Sequence, residues 1–275
     1  MKKIIHDIDP SYSVFYLIFD GRKIGFYLTN KLSKTFYSYL DKGVMVDFEI
    51  TPKMKTIRKR KFFQVAFFNQ IISLNPYRVH YDLFKLRDDM RKVLKTHQYY
   101  LFIDFEMTMP GYRDDVFKPE IIQAGYVLSE PNKDIIREND LYILPKERRT
   151  LSRRTKRFLN LEEADFFQKA EPFQVFYDDL KVIIDTYHPK LVVWGKNDLT
   201  ALRDAYIFHD LPHLTDDHDF IDLLKLHKDY FNLKDDLGLF KAYKTYYQVD
   251  YDQAHDAKDD ALVTKYVFDA FLSYI

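Results

Sequence analysis

The sequence predicts an α/β protein, a mixed β-sheet covered by helices, preceded by a small, basic, mainly β domain. Three observations carry this: the charge balance changes sign near residue 98, short aromatic and β-branched runs fill the first part, and strand-like runs followed by amphipathic helices fill the second. Residues 1–97 carry 19 Lys and Arg against 9 Asp and Glu, whereas residues 98–275 carry 23 against 33. A net charge of zero therefore conceals two parts of opposite sign. A basic segment joined to an acidic one points to polyanion binding beside a carboxylate-rich site, because Lys and Arg contacts to phosphate supply most non-specific nucleic-acid affinity. Charge drift along an ordinary chain is the plainer alternative.

At 275 residues the chain can form one large domain or two smaller ones, and the charge boundary favours two. The predicted division is a β-rich domain over 1–75, a connecting helix over 76–97 and a larger domain over 98–275. Hydrophobic residues make up 47% of the chain, enough to build a substantial core. The absence of cysteine excludes disulfides, thiolate metal sites and a Cys nucleophile, leaving oxygen and imidazole as metal ligands. His6, Asp7 and Asp9 interrupt the first apolar residues, which argues against a secretory signal. No run approaches the roughly 20 uncharged apolar residues of a membrane span, so a soluble cytoplasmic protein without membrane contact is expected.

In the first part, the runs over 13–19, 23–28, 44–50 and 62–74 are rich in aromatic and β-branched residues and read as strands. Between the last two lies a basic cluster, Lys53, Lys55, Arg58, Lys59, Arg60 and Lys61, suited to a hairpin loop lying along a phosphate backbone. A small barrel of oligonucleotide-binding (OB) type is expected, since such folds pair cationic grooves with exposed aromatics. The same aromatics could instead fill a small core, with the loop simply solvated. From Pro76 to Thr96, the spacing of Val79, Leu83, Leu86, Met90, Val93 and Leu94 predicts an amphipathic helix.

In the second part, strands are predicted over 99–107, 121–129, 140–145 and 191–194, and helices over 172–187, 198–208 and 258–275. Asp104 and Glu106 are two apart in an otherwise apolar strand, so alternation points both to one face, and that face should be core. Two unpaired buried anions would cost several kcal/mol each, on the order of the penalty for any buried ion, so something positive must compensate. No Lys or Arg lies between Lys95 and Arg113, which favours a divalent cation over a local salt bridge. Asp198 follows the strand-like LVVWGKN, at the end of a strand where ligands collect in α/β sheets, although alone it reads as a helix N-cap. In AHDAKDDALVTKY, a helix starting near Asp256 places Asp260 one turn in, beside Ala257, Ala261 and Thr264, with His255 on the incoming loop. Asp256 and Asp259 read as first-turn charges complementing the helix dipole.

Together, DFEMTMP, EIIQAGYVL, WGKND and AHDAKDDA resemble, in order and spacing, the DEDDh exonuclease family, which includes the proofreading exonucleases. The resemblance covers roughly residues 98–275. His255, Ala257, Asp260 and Ala261 match the family's HxAxxDA motif, and Asp256 stands where the tyrosine-type members carry Tyr. The resemblance implies an RNase H-like fold. It also implies that Asp104, Glu106, Asp198 and Asp260 hold two Mg²⁺ or Mn²⁺ ions, that His255 is the general base, and that Met107 and Thr108 meet the terminal nucleotide. One departure is Phe158, Leu159, Asn160 and Leu161, which occupy the place of the family's LTGI-like segment. Around it, Lys146, Arg148, Arg149, Arg153, Arg154, Lys156 and Arg157 form a second basic run, suited to phosphates or to a solvated face.

The implied reaction is hydrolysis from a single-stranded 3′ end, releasing nucleoside 5′-monophosphates. DFExT, EII and WGxxD are most similar to the branch that processes RNA 3′ ends, with a DNA-trimming enzyme as the alternative. A non-catalytic nucleic-acid-binding module should have lost an acid or the histidine, and all five are present. A phosphodiesterase of small molecules would have no use for the basic first part.

Overall fold

The computed structural model describes all residues except 112–116, 148–149, 234 and 252–254. Arg113, Arg148, Arg149 and Ala254, each used in the sequence reading, lie outside the described residues. The chain divides into two compact units, Met1–Met90 and Arg91–Ile275.

The first unit contains β1 (Lys2–Ile4), β2 (Asp7–Asp9), β3 (Val14–Phe19), β4 (Arg22–Tyr27), α1 (Asn30–Phe36), β5 (Met45–Ile57), β6 (Arg60–Leu74) and β7 (Tyr77–Asp82). They form one seven-stranded sheet in the order β1-β5-β6-β4-β3-β2, with β7 also paired to β6. The mainly β expectation holds, with seven strands against the five of an OB barrel. Asp20–Gly21 closes the β3–β4 hairpin with both residues at positive φ, as a two-residue turn matching the strand twist requires. Phe15, Phe26, Phe48 and Phe68 stack on one another with ring centroids 5.0–6.2 Å apart, so these aromatics fill the core.

Strand β6 buries Phe62, Val65, Phe68 and Ile71, every third residue, where a regular strand would bury every second. Register shifts between β5 and β6 account for this by turning the strand relative to its neighbour. The segment after Pro76 differs from the sequence expectation. Tyr77–Asp82 pairs with β6, and the helix α2 (Leu83–Lys95) begins only at Leu83. Alternating Tyr77, Val79 and Tyr81 are good strand formers, and the long β6 offers them free backbone partners.

The second unit is built on β8 (Tyr100–Met107), β9 (Ile121–Ser129), β10 (Ile135–Tyr142), α3 (Arg153–Phe158), α4 (Glu163–Lys169), α5 (Phe173–Tyr187), β11 (Lys190–Val193), α6 (Asn197–Phe208), β12 (Phe220–Asp222), α7 (Leu223–Phe231), α8 (Leu239–Tyr247) and α9 (Ala257–Tyr274). The sheet order is β10-β9-β8-β11-β12, with β8, β11 and β12 parallel and β9 antiparallel to both of its neighbours, β8 and β10. This is the mixed, helix-covered sheet that was predicted. The third strand spans 135–142 where 140–145 was expected, because its pairing with β9 extends back to Ile135. Elements α3, α4, β12, α7 and α8 had no sequence prediction.

Alternation along β8 decides which helix faces what. Leu101, Ile103 and Phe105 join Phe176, Leu180, Leu202 and Tyr206 of α5 and α6 in one core. Tyr100 and Phe102 turn the other way and stack on Phe268 of α9, at 4.8 and 5.2 Å. Asp104 and Glu106 continue that second row, so they emerge on the side of α9. Among the described residues, no helix is long and apolar enough to cross a membrane.

Gly125 sets how closely α9 approaches the sheet. It stands opposite Asp104 in the β8–β9 register. A Cβ at Gly125 would lie 2.0 Å from the Lys258 backbone nitrogen and 2.1 Å from the Ala257 carbonyl carbon. Main chain cannot yield as a side chain can, so Gly125→Ala should push the first turn of α9 outward. The expected cost is on the order of 1–3 kcal/mol in stability, as for other overpacked sites, with loss of activity at temperatures where the variant is still folded. Thermal unfolding and an activity assay on the same preparation check this; wild-type values for both would mean that the close contact is unimportant.

Candidate active site

The site begins with β8. Asp104 and Glu106 stand near its carboxyl end, and Asp260 reaches them from the first turn of α9, placing one carboxylate oxygen of each within 4.8 Å of the others. The local sequence explains the position of Asp260. Asp256 caps α9, accepting from the Asp259 backbone N–H at 3.1 Å, and Gln123 of β9 donates to the same side chain at 2.8 Å. The helix start is thereby tied to the sheet. Ala257 and Ala261 are fully buried against it. The sequence reading of Asp256 as a first-turn charge is refined to an N-cap.

Asp198 enters from the neighbouring parallel strand. It lies in the first turn of α6, just past the carboxyl end of β11, and is 6% exposed. Its side chain accepts the Phe105 backbone N–H at 3.1 Å, so it holds to β8 rather than capping its own helix. It stands outside the tight set of three carboxylates but lines the same cleft, as does His255. The cleft encloses about 420 Å³ and is also lined by Met107, Phe158, Trp194, Asn197, Phe240 and Lys241.

Thr108 is tied to the residue just before β9. It is 4% exposed, and it exchanges two 2.9 Å hydrogen bonds with Glu120, its N–H donating to the Glu120 carbonyl and its hydroxyl accepting the Glu120 N–H. These bonds pin the chain leaving β8 directly after Met107.

Crowded carboxylates with little water hold their protons. Burial, then Asp198, Asp260 and Glu106, push Asp104 well above the usual carboxylate range. Glu106 is pushed up to about 8 by burial and then by Asp260, Asp198 and Asp256. Asp260 rises to about 7 by burial and then by Asp256, Asp259 and Asp198. Asp198 also rises to about 7 by burial, opposed by the Phe105 N–H. Asp260 Oδ1 is buried and makes no hydrogen bond among the described residues. A buried oxygen facing other carboxylate oxygens has the character of a ligand to a hard divalent cation.

His255 has φ of +51°, in the left-handed region, and this turns its ring out of the line of α9. The imidazole packs on Phe158 with ring centroids 4.1 Å apart. Phe158 was noticed in the sequence only as a departure from an expected segment; its contact with the histidine emerges from the fold. Phe240 and Lys241 carried no sequence signal, since they start an unanticipated helix. Of the second basic run, Lys146 donates to the Phe208 carbonyl at 2.7 Å and Lys156 pairs with Glu163 at 2.8 Å. Arg153, Arg154 and Arg157 are exposed and line an adjoining hollow of about 970 Å³ that shares Phe158 and His255 with the carboxylate cleft.

The model of the RNase T exonuclease family matches residues 101–268, a span that runs from β8 into α9 and includes all five residues. The chain belongs to this exonuclease family. A relative from Bacillus subtilis (strain 168), described as probable 3′-5′ exonuclease KapD, is 30% identical over 170 residues, which is 61% of this chain and 82% of that protein. Among solved structures, the nuclease domain of 3′hExo, a DEDDh family member bound to rAMP, superposes with a TM-score of 0.58 at 19% identity, over 66% of this chain and 94% of that one. A 3′-exonuclease described in its 3′-end-specific recognition of a histone mRNA stem-loop superposes with a TM-score of 0.55 at 20% identity, over 65% and 83%. These similarities establish the RNase H-like fold of the DEDDh nucleases for the exonuclease unit.

The raised carboxyls make a stability prediction whose sign follows from linkage. Glu106 keeps its proton up to about 8 in the folded exonuclease, above its unfolded value, so ionising it works against folding increasingly as pH rises from about 4.5 to about 8. In chelator, Glu106→Gln should therefore leave the melting temperature nearly unchanged at about pH 5 and raise it at about pH 8. Differential scanning fluorimetry of both proteins across this range measures the difference. A gap that does not widen with pH would remove the repulsive cluster.

Proposed function

We propose that this chain is a two-metal 3′→5′ exonuclease that removes nucleoside 5′-monophosphates from a single-stranded 3′ end, with RNA or a short oligonucleotide as its substrate. The observation that carries the reading is the convergence of Asp104, Glu106 and Asp260 within 4.8 Å, in a cleft also lined by Asp198 and His255.

The donor set fits Mg²⁺ or Mn²⁺. It is all carboxylate, with neither thiolate nor imidazole in the tight cluster, and hard oxygen donors suit these ions. Asp104, Glu106, Asp198 and Asp260 would hold two ions whose charge the four carboxylates balance. When bound, the ions would supply Lewis acidity to the scissile phosphate and make water a stronger acid.

The protein's own part is positioning and proton transfer. Met107, at the end of β8, borders the place of the terminal nucleotide. Phe158, Trp194 and Phe240 give the cleft apolar walls, and Trp194 is held by donating its ring N–H to the Leu237 carbonyl at 3.1 Å. His255 accepts a proton from the attacking water at a ring nitrogen, and the packed Phe158 ring fixes the plane of the imidazole while it does so. The leaving 3′-oxygen departs with the shortened strand.

The preference for RNA is supported by the DFExT, EII and WGxxD motifs, and it agrees with the ribonucleotide rAMP and the histone mRNA stem-loop named for two structures of the same fold. Recognition of a 2′-hydroxyl would depend on a few contacts near Met107. Incubating the protein with end-labelled single- and double-stranded RNA and DNA, in Mg²⁺, Mn²⁺ or chelator, separates RNA from DNA specificity in one experiment. Mononucleotides should accumulate from RNA 3′ ends with metal and from neither polymer with chelator.

Two substitutions test the roles. Asp104→Asn should bring hydrolysis below detection with the melting curve intact, and near-wild-type activity would sink the assignment. His255→Ala should slow hydrolysis by roughly 10²–10⁴-fold, the usual contribution of a general base, while Mn²⁺ binding measured by calorimetry is kept. Loss of Mn²⁺ binding in that variant would make His255 a ligand instead.

A further inference from the structure

The β5–β6 hairpin carries a charge arrangement that the exonuclease unit does not explain. Between Glu49 and Asp82 the chain has no acidic residue at all, and Lys53, Lys55, Arg58, Lys59, Arg60 and Lys61 are concentrated within nine positions of that stretch. All six are exposed. Ion pairs elsewhere in this unit join the Met1 amino group to Asp47 and Glu49, and Lys23 to Asp7. Among the described residues, none of the six has a carboxylate within ion-pair distance. Like charges this close repel within a Debye length and lower the stability of the hairpin unless a polyanion covers them.

Backbone geometry adds a second, independent observation. Ile57 pairs with Arg60, so Arg58 and Lys59 form a two-residue turn, with φ of +48° and +62°. Asn-Gly is the favoured pair for such a turn because both positions are left-handed. Here two cationic side chains occupy them against that preference, which puts charge at the tip of the hairpin.

Aromatic rings then hold some of the cations in place. The Arg58 guanidinium lies 4.7 Å from the centre of the Tyr12 ring, and its Nε donates to the Tyr12 hydroxyl at 3.1 Å. Lys55 Nζ lies 5.9 Å from the centre of the Tyr27 ring, whose hydroxyl donates to Gln64 at 2.8 Å. Lys23 covers Tyr16 at 4.3 Å. In each case the cation occupies one face of the ring. The hairpin therefore presents charge at its tip and along its strands.

We propose that the β5–β6 hairpin is a phosphate-backbone binding site for single-stranded nucleic acid, recognising the polymer without regard to sequence and keeping it attached to the exonuclease chain between cleavages. The proposal rests on the exonuclease reading for the identity of the polyanion. Because one chain carries both units, a strand held by the hairpin stays at a raised local concentration for the cleft, and this follows from the covalent link alone. The gain applies only to strands long enough to be held at both sites.

The test uses the full chain. Binding of a fluorescent single-stranded RNA is measured by anisotropy in chelator over a range of salt, for the wild type and for a variant with all six cations changed to Gln. On single strands each phosphate contact contributes about 0.7 to the slope of log K against log salt, so losing six contacts should flatten the slope by about 4. Affinity at physiological salt should fall roughly tenfold or more, while kcat/KM for a dinucleotide in Mg²⁺ stays within about twofold.

Should the six-fold variant fail to fold, Arg58→Asn with Lys59→Gly gives the turn its preferred residues. It should flatten the slope by about 1.4 in a fully folded protein. An unchanged slope in a folded variant overturns the proposal. So does tighter binding to phosphatidylserine vesicles than to RNA, lost on the same substitutions, which would make the hairpin a membrane contact. A wild type that binds RNA with the expected slope but hydrolyses nothing would sink the exonuclease reading and leave the hairpin assignment standing.

Discussion

Repulsion among buried carboxylates is the constraint around which the second unit is organised. Asp104, Glu106 and Asp260 converge within 4.8 Å, and burial and mutual charge raise their proton affinity together. Left alone, such a cluster opposes folding, because each ionisation there is less favourable than in an unfolded chain. Something else must hold it shut. On one side this is the hydrogen-bonded register of β8 with β9, and on the other the seating of α9, where Phe268 packs on Tyr100 and Phe102 one and two alternations below the acids. A divalent cation would turn the same repulsion into coordination, and among the described residues no Lys or Arg forms an ion pair with the tight set.

Small features then acquire large consequences. Gly125 lets main chain meet main chain where β9 touches α9, and Gln123, two residues earlier, holds the Asp256 cap of that helix. Together they place Asp260, which sits one turn beyond the cap. Asp198 is recruited differently, from the carboxyl end of the parallel strand β11, and is anchored by a main-chain N–H of β8. A mixed sheet makes this possible: β9 brings the close approach to α9, and β11 brings a second strand end to the level of the first. His255 completes the cleft from a left-handed residue just before α9, where Phe158 supports its ring.

The first unit solves a different problem. Phe15, Phe26, Phe48 and Phe68 are spent on a core, and Tyr12, Tyr16 and Tyr27 carry cations on their faces, so much of the aromatic content supports a charged surface. The opposite net charges of the two parts of the chain thus correspond to different chemistry. One part gathers carboxylates in a cleft, and the other gathers six cations on a hairpin that, among the described residues, has no carboxylate at ion-pair distance.

Part of the candidate site was legible because it depends on local rules. Strand alternation alone puts Asp104 and Glu106 on one face, and the spacing of His255, Ala257, Asp260 and Ala261 places an acid one turn into a close-packed helix. The mixed sheet followed from strand runs that are apolar throughout. What could not be read locally concerns contacts between distant residues. Tyr77–Asp82 has apolar spacing compatible with a helix, and the free edge of β6 makes it a strand. The three-residue burial period of β6 arises from register shifts against β5. Thr108 belongs to a motif but spends its hydrogen bonds on Glu120, and an isolated glycine in an apolar strand, the one available hint to Gly125, does not say which helix comes near. By itself the sequence determined the fold class, which rests on periodicity within single elements, and it pointed to the acids and the histidine as candidates through four motifs that together resemble the exonuclease family. Only the tertiary structure decided that three acids meet closely while Asp198 is held by the Phe105 N–H, and that Phe158 backs His255, because those relations are made by elements far apart in the chain.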